Sequence, residues 1–378
     1  MNIKSFVFSM GTLALLAAPF VGHAQEFQRD IETLEKARVI SVIDRGEHQI
    51  PGTEVMSESQ YLSAEVLTGI QKGEIVSFTN DFTQLKEGDQ FYLRHLVSPS
   101  DGTEFYSVAD PYRLNVLLVL TLIFVALVFV FGGLQGMRGL LSLAGSLLLI
   151  FYVLLPGISS GFSPVLVAIG VASLIIIVGS YITHGFTRTT TAAVIGMIGT
   201  VIVTGIAAWY VVDIAALSGY GSDESVYLRF QSDGTIDLVG VLLGGVLIGL
   251  LGVLYDSAIG QAVAVEELLR IGGNVSRKEV YMRALRIGRE HIGALVNTLA
   301  IAYVGASLPL FLLLQYSSAS AGYIVNGEVF ATEIVRILIG SIGLVLAVPV
   351  TTLIAVYLIR PGGNPRDTIQ AHKHNNHV

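Results

Sequence analysis

The sequence predicts an α-helical polytopic membrane protein with seven transmembrane helices and a small N-terminal, extracytoplasmic, β-barrel-like domain of OB or SH3 type. Three observations predict it. Charged residues make up 13% of the 378 positions and mean hydropathy is +0.68, whereas soluble domains carry about 25% charge. Apolar runs near the ~20 residues that cross a bilayer recur from Tyr112 onward. Ahead of them stand short alternating runs rich in Val, Ile, Tyr and Phe, the pattern of half-buried strands.

Residues 1–24 read as a secretory signal: Lys4, an apolar core from Phe6 to Phe20, and Gly22-His23-Ala24 before Gln25. In the β-rich domain, 25–111, the acidic lead-in EFQRDIETLEKA reads as helical. The runs ARVISVID, YLSAEVLTG, EIVSFTN, DQFYLRHLV and EFYSVAD then read as five strands parted by Gly and Asp turn signals. This stretch holds 7 Lys and Arg against 16 Asp and Glu, a net of −9. Such a surface repels anionic headgroups.

The transmembrane domain, 112–360, divides into spans at about 113–134, 139–156, 164–183, 190–212, 238–258, 291–315 and 334–359. With the β domain outside, eleven basic residues fall on cytoplasmic segments, and the three outer loops hold only Arg229. That is the positive-inside asymmetry. It predicts a multi-pass membrane protein with an extracytoplasmic N-terminal domain and a cytoplasmic C-terminus. The outer loop 213–237 is acidic and reads as a solvated surface. Ser276-Arg-Lys-Glu279 is a capping box. It opens a helix near 276–289 whose face Val280, Ala284 and Ile287 suits the membrane interface. Residues 361–378, with the run HKHNNH, read as a disordered cytoplasmic tail.

Polar residues inside the spans are the candidate site. Asp256 lies within the apolar run Leu238–Val265, and Gly252, Gly249 and Gly245 precede it at helical spacing. A glycine face lets another helix approach closely, and a carboxylate there can carry a proton or cation. At the span's inner edge Asp256 would be a helix end; deeper, it would be a working site. In span six Glu290 and Asn297 share a face, and Asn297 and Thr298 should hydrogen-bond across helices. Arg289 is a partner for Asp256 if the two spans are neighbours. In span seven Gly340 and Gly343 allow close packing, and Pro349 frees a carbonyl for Thr351 or Thr352. Arg336 reads as a side chain reaching outward to the headgroups. His184 occupies a turn before span four.

Other function classes lack support. With no cysteine there is no thiol nucleophile or Cys-based metal site, and a net charge of −7 gives no footprint for nucleic acid. No phosphate loop, HExxH or nucleophile–base arrangement is present, so no cofactor, metal or enzyme activity is expected.

The runs RGLLSLAGSLLLIFYVLLPGI, IDLVGVLLGGVLIGLLGVLYDSAIGQAVAVEEL, GREHIGALVNTLAIAYVGASLPLFLLL and GSIGLVLAVPVTTLIA resemble the YibE/F family of bacterial membrane proteins. The resemblance runs from about Ala37 to Arg360. It implies that Asp256, Gly288, Arg289, Asn297, Thr298, Ser307 and Pro349 occupy motif positions. Glu290 keeps an acid after the arginine, while His291 departs from the apolar residue expected there. The pair that names the family implies a related membrane subunit or a second copy as partner, beside the lipid bilayer itself. Two functions are carried forward. One is a transporter or transport subunit using Asp256 for proton or cation coupling. The other is an envelope assembly or maintenance factor whose β domain binds a partner outside the membrane.

Overall fold

The computed structural model describes residues 31–49, 56–99, 101–271 and 275–360. The signal sequence and the histidine-bearing tail lie outside them. Two compact units divide near residue 124.

The first unit is a five-stranded antiparallel sheet in the order β3-β2-β1-β4-β5. The strands are β1 (Ile31–Gln49), β2 (Met56–Val66), β3 (Ile75–Asn80), β4 (Gln90–Val97) and β5 (Glu104–Pro111). All five expected strands are present. The helical lead-in is corrected: from Ile31 onward, ETLEK is strand, because Ile31–Arg38 pairs with β4 from Val97 to Gln90. Ladder hydrogen bonds outweigh the helix propensity of Glu, Leu and Lys there. Edge strands β3 and β5 approach each other, so the sheet curls around a core of Val39, Leu62, Val66, Phe78, Phe91 and Leu93.

A buried amide closes one end of that core. Gln60 donates to the Leu85 carbonyl at 2.9 Å and accepts from the Leu85 N–H at 2.8 Å and from Asn80 at 3.2 Å. Gln60→Ala strands all three partners, so the module is expected to lose about 2–3 kcal/mol. Hydrogen exchange of β2 and β3 in the full-length protein, faster by a matching factor, is the check.

The second unit is helical. Its elements are α1 (Leu114–Leu149), a π-helical turn (Ile150–Leu154), α2 (Leu155–Ser159), α3 (Pro164–His184), α4 (Arg188–Ile214), α5 (Asp223–Gln231), α6 (Leu238–Ile271), α7 (Arg277–Ala306), α8 (Leu308–Tyr316), α9 (Ala321–Asn326) and α10 (Glu328–Leu358). Among the described residues, five helical runs are long and apolar enough to cross a membrane, or six when α7 and α8, bent by 63°, count as one. The first two expected spans form one apolar run, 114–159, broken at Gly133, whose φ of 53° and ψ of −145° are not helical. Beyond the break the chain turns back. A Cβ on Gly136 would lie 2.7 Å from the Val128 carbonyl oxygen, whereas residues eight apart in a straight helix are separated by about 12 Å.

Only glycine adopts this Gly133 conformation without strain, and a Cβ there meets nothing within 4 Å. Gly133→Ala therefore isolates backbone strain. It is expected to cost about 1–3 kcal/mol, read as a lower melting temperature in detergent.

At the other bend, Ser307 ends α7 and Pro309 follows. The proline ring cannot continue a helix over the preceding carbonyls. Ser276 caps α7 by accepting the Glu279 N–H at 3.2 Å, as the capping box predicts. The segment near 276–289 forms the first turns of α7, which runs unbroken to Ala306. Val280 and Ala284 are buried and Ile287 is exposed.

α6 lies at the centre of the unit, packed against α3, α4, α7 and α10. It buries Leu247, Leu250, Leu251, Leu254, Ala258 and Ala262.

Candidate functional site

Which face α6 buries decides the setting of Asp256. Its leucines take the contacts with α3, α4 and α10, so Gly245, Gly249, Gly252 and Asp256 lie on the opposite, uncovered face. The expected glycine packing stripe is thus corrected. A Cβ at Gly245 or Gly252 meets nothing within 4 Å; only Gly249 is closely approached, by the Tyr303 hydroxyl of α7. Gly340 and Gly343 do pack tightly, against Leu299 and Thr204.

One turn beyond this open face, α6, α7 and α10 converge on a cleft of about 280 Å³. Asp256, Ser257, Gly260 and Gln261 line one side; Ile287, Gly288, His291 and Leu295 line the other, with Val348 at the back. Gln261 is buried and donates across to the Ala284 carbonyl at 2.7 Å, tying α6 to α7 beneath the cleft. Gly288 makes the convergence possible. A Cβ there would lie 2.5 Å from Val348 Cγ1 and 2.7 Å from Gln261 Oε1. The Ser257 side chain is buried and its Oγ has no hydrogen-bond partner among the described residues, a costly state for a hydroxyl in an apolar setting.

Asp256 makes no ion pair among the described residues. Arg289 and Glu290 are exposed and do not meet it, so Arg289 is not its partner in this arrangement. Asn297 is exposed and is not part of the cleft. Thr298 is corrected: it donates to its own helix, at Ala294, over 2.9 Å. A threonine in a helix reaches the carbonyl one turn back more readily than a neighbouring helix. Pro349 sits inside α10 without ending it. Thr352 bonds the Val348 carbonyl at 2.6 Å, not the Val345 carbonyl that Pro349 leaves free. Thr351 is fully buried against Gly196, its hydroxyl without a partner. Arg336 pairs with Glu333, one turn nearer the start of α10, at 2.7 Å and lies over the Tyr303 ring.

Ser257, Gln261 and His291 join Asp256 in the cleft although spacing did not single them out. The signal was there. Ser257 and Gln261 are one turn apart and flank Asp256 on the side toward the core. His291 follows Gly288 by three residues, so both can face one neighbour. A carboxylate, an imidazole, a hydroxyl and an amide around a small, mostly apolar cleft can hold a proton or a small cation. No Lys or Arg lines the cleft.

No curated protein and no solved structure matches the chain. The family model described as YibE/F-like protein matches residues 120–361, which takes in every helix from most of α1 to α10 and the whole cleft. The chain belongs to the YibE/F-like family.

Proposed function

We propose that the chain is a transporter or transport subunit of a bacterial inner membrane, in which Asp256 takes up and releases a proton or cation during each cycle. The observation that carries this reading is the convergence of Asp256, His291, Ser257 and Gln261 on one cleft among helices long and apolar enough to cross a bilayer. Ionisable groups at such positions are expensive and mark ion or substrate paths. The orphan Ser257 hydroxyl supplies an acceptor and donor that a bound species would satisfy.

In this reading the turn at Gly133 divides 114–159 into two spans and brings the total to seven. The β module is then outside and the C-terminus is in the cytoplasm, a reading supported by the distribution of Lys and Arg. Reconstitution of the protein and of Asp256→Asn into liposomes, with proton flux followed by an internal pH dye, tests the reading. Equal flux through both overturns it.

A further inference from the structure

Two helices of the bundle carry one pattern. Residues 195–210 of α4 read IGMIGTVIVTGIAAWY and residues 342–357 of α10 read IGLVLAVPVTTLIAVY. Ile, Gly, Val, Val, Thr, Ala and Tyr coincide at equal spacing. The burial coincides too: Gly196, Thr200, Val201, Thr204, Gly205 and Ala208 are buried, as are Gly343, Ala347, Val348, Thr351, Thr352 and Ala355.

The two helices pack on each other antiparallel and reciprocally. A Cβ on Gly343 would lie 3.3 Å from Thr204 Cβ, and one on Gly196 would lie 3.0 Å from Thr351 Cβ. Each glycine receives the threonine of the other helix, and Thr200 and Ala347 fall opposite each other at the centre. Neither threonine hydroxyl has a hydrogen-bond partner among the described residues.

The flanking helices obey the same half-turn. α3 runs parallel to α6: Gly244 meets Ala168, and the Tyr255 hydroxyl donates to the Gly179 carbonyl at 3.3 Å. α7 runs antiparallel to α6, with Gln261 at Ala284 and Gly249 at Tyr303. Each begins with a buried row at the same spacing, Pro164, Ala168 and Ala172 in α3 and Val280, Ala284 and Gly288 in α7. A half-turn about the middle of α6 therefore exchanges α3 with α7 and α4 with α10. Midway between Gly244 and Gln261 is the Gly252–Val253 peptide, about one turn from Asp256.

We infer that α3–α4 and α7–α10 form an inverted repeat folded around α6, that Asp256 sits near mid-depth in the bilayer, and that the cleft opens to alternate sides as the two halves rock along the α4–α10 seam. The consequence for exposure rests on the transport reading; the repeat does not. Inverted repeats place binding sites at the midplane between their halves and alternate access by moving one half against the other. The reciprocal glycine–threonine contacts give the seam two equivalent ends, either of which can close while the other parts.

The chain has no cysteine of its own, so every introduced thiol is informative. Cβ atoms this close suit a disulfide after a small adjustment. One variant carries Thr204→Cys with Gly343→Cys, a second carries Gly196→Cys with Thr351→Cys, and each also carries Gly260→Cys in the cleft. Both disulfides should form in the full-length protein, as read by mass spectrometry after proteolysis. Labelling of position 260 by a membrane-impermeant maleimide, applied in turn to each face of membrane vesicles, should shift toward opposite faces in the two crosslinked variants. Trapping one of two states is expected to change the rate about tenfold, and reduction should restore it. Shifts toward the same face, or none, overturn the rocking seam. Independently, a spin label on Gly252→Cys should report mid-depth by its exposure to oxygen over a polar relaxant; a position at the headgroups overturns the placement. If Asp256→Asn stops flux while the crosslinks shift nothing, the seam falls and transport stands. If the crosslinks behave as expected and Asp256→Asn leaves flux unchanged, the repeat stands and transport falls.

Discussion

Asp256→Asn is expected to reduce coupled flux to the level of empty liposomes while leaving the fold intact or slightly more stable. Asparagine has nearly the same shape, keeps an acceptor for the cleft and cannot ionise. A charge deep in a bilayer costs on the order of 3 kcal/mol on insertion scales, and Asp256 has no ion-pair partner among the described residues to offset it. Removing the charge therefore should not lower the melting temperature. Loss of flux with an unchanged or raised melting temperature places Asp256 in the transport step. Loss of both would make the acid a structural group and remove the reason to call the cleft a site.

Much of this arrangement was legible in the sequence, for physical reasons that can be named. The five strands announced themselves through two-residue alternation, and the apolar runs through length. Ser276 and Glu279 marked the start of α7, since a cap is a local interaction. What failed was non-local. ETLEK has good helix formers, but β4 offers it a ladder. The row Gly245, Gly249 and Gly252 suggested a packed face, yet a helix buries whichever face its neighbours reach, and here they reach the leucines. Asp256 was found because a charge in a membrane-length run is conspicuous. Ser257 and Gln261 do not stand out in the sequence because neutral polar residues in such runs are ordinary, and only their convergence with His291 and Val348 gives them meaning. His291 departs from the residue expected at its position, and the structure puts it in the cleft.

The glycines now separate into two classes with opposite expected responses, and Gly288→Val has the largest. At Gly288 even the first carbon would press on Val348 Cγ1 and Gln261 Oε1. Valine adds two further methyl groups at a point where three helices meet. Overpacking of this kind costs about 1–3 kcal/mol, and the strain has two outlets. Val348 can move only by shifting α10, whose far side is locked against α4 by the Thr351–Gly196 contact. Gln261 can move only by giving up its 2.7 Å bond to the Ala284 carbonyl, which leaves a buried amide N–H unpaired and adds about 1–3 kcal/mol more. The melting temperature in detergent should fall steeply, and a thiol at position 260 should label faster as the cleft gapes. Gly245→Val and Gly252→Val face open space. They lie on the neighbouring helix α6 and have the same composition change, so they control for the helix propensity of valine against glycine. In detergent they should leave the melting temperature within about 0.5 kcal/mol of the parent, the range of substitutions away from packed features. A large loss at Gly252, or none at Gly288, would mean that the cleft is closed by a different helix face from the one described. Since Gly288 lines the cleft and Gly252 precedes Asp256 by a turn, the two outcomes test whether the glycines around the acid serve packing or leave it room.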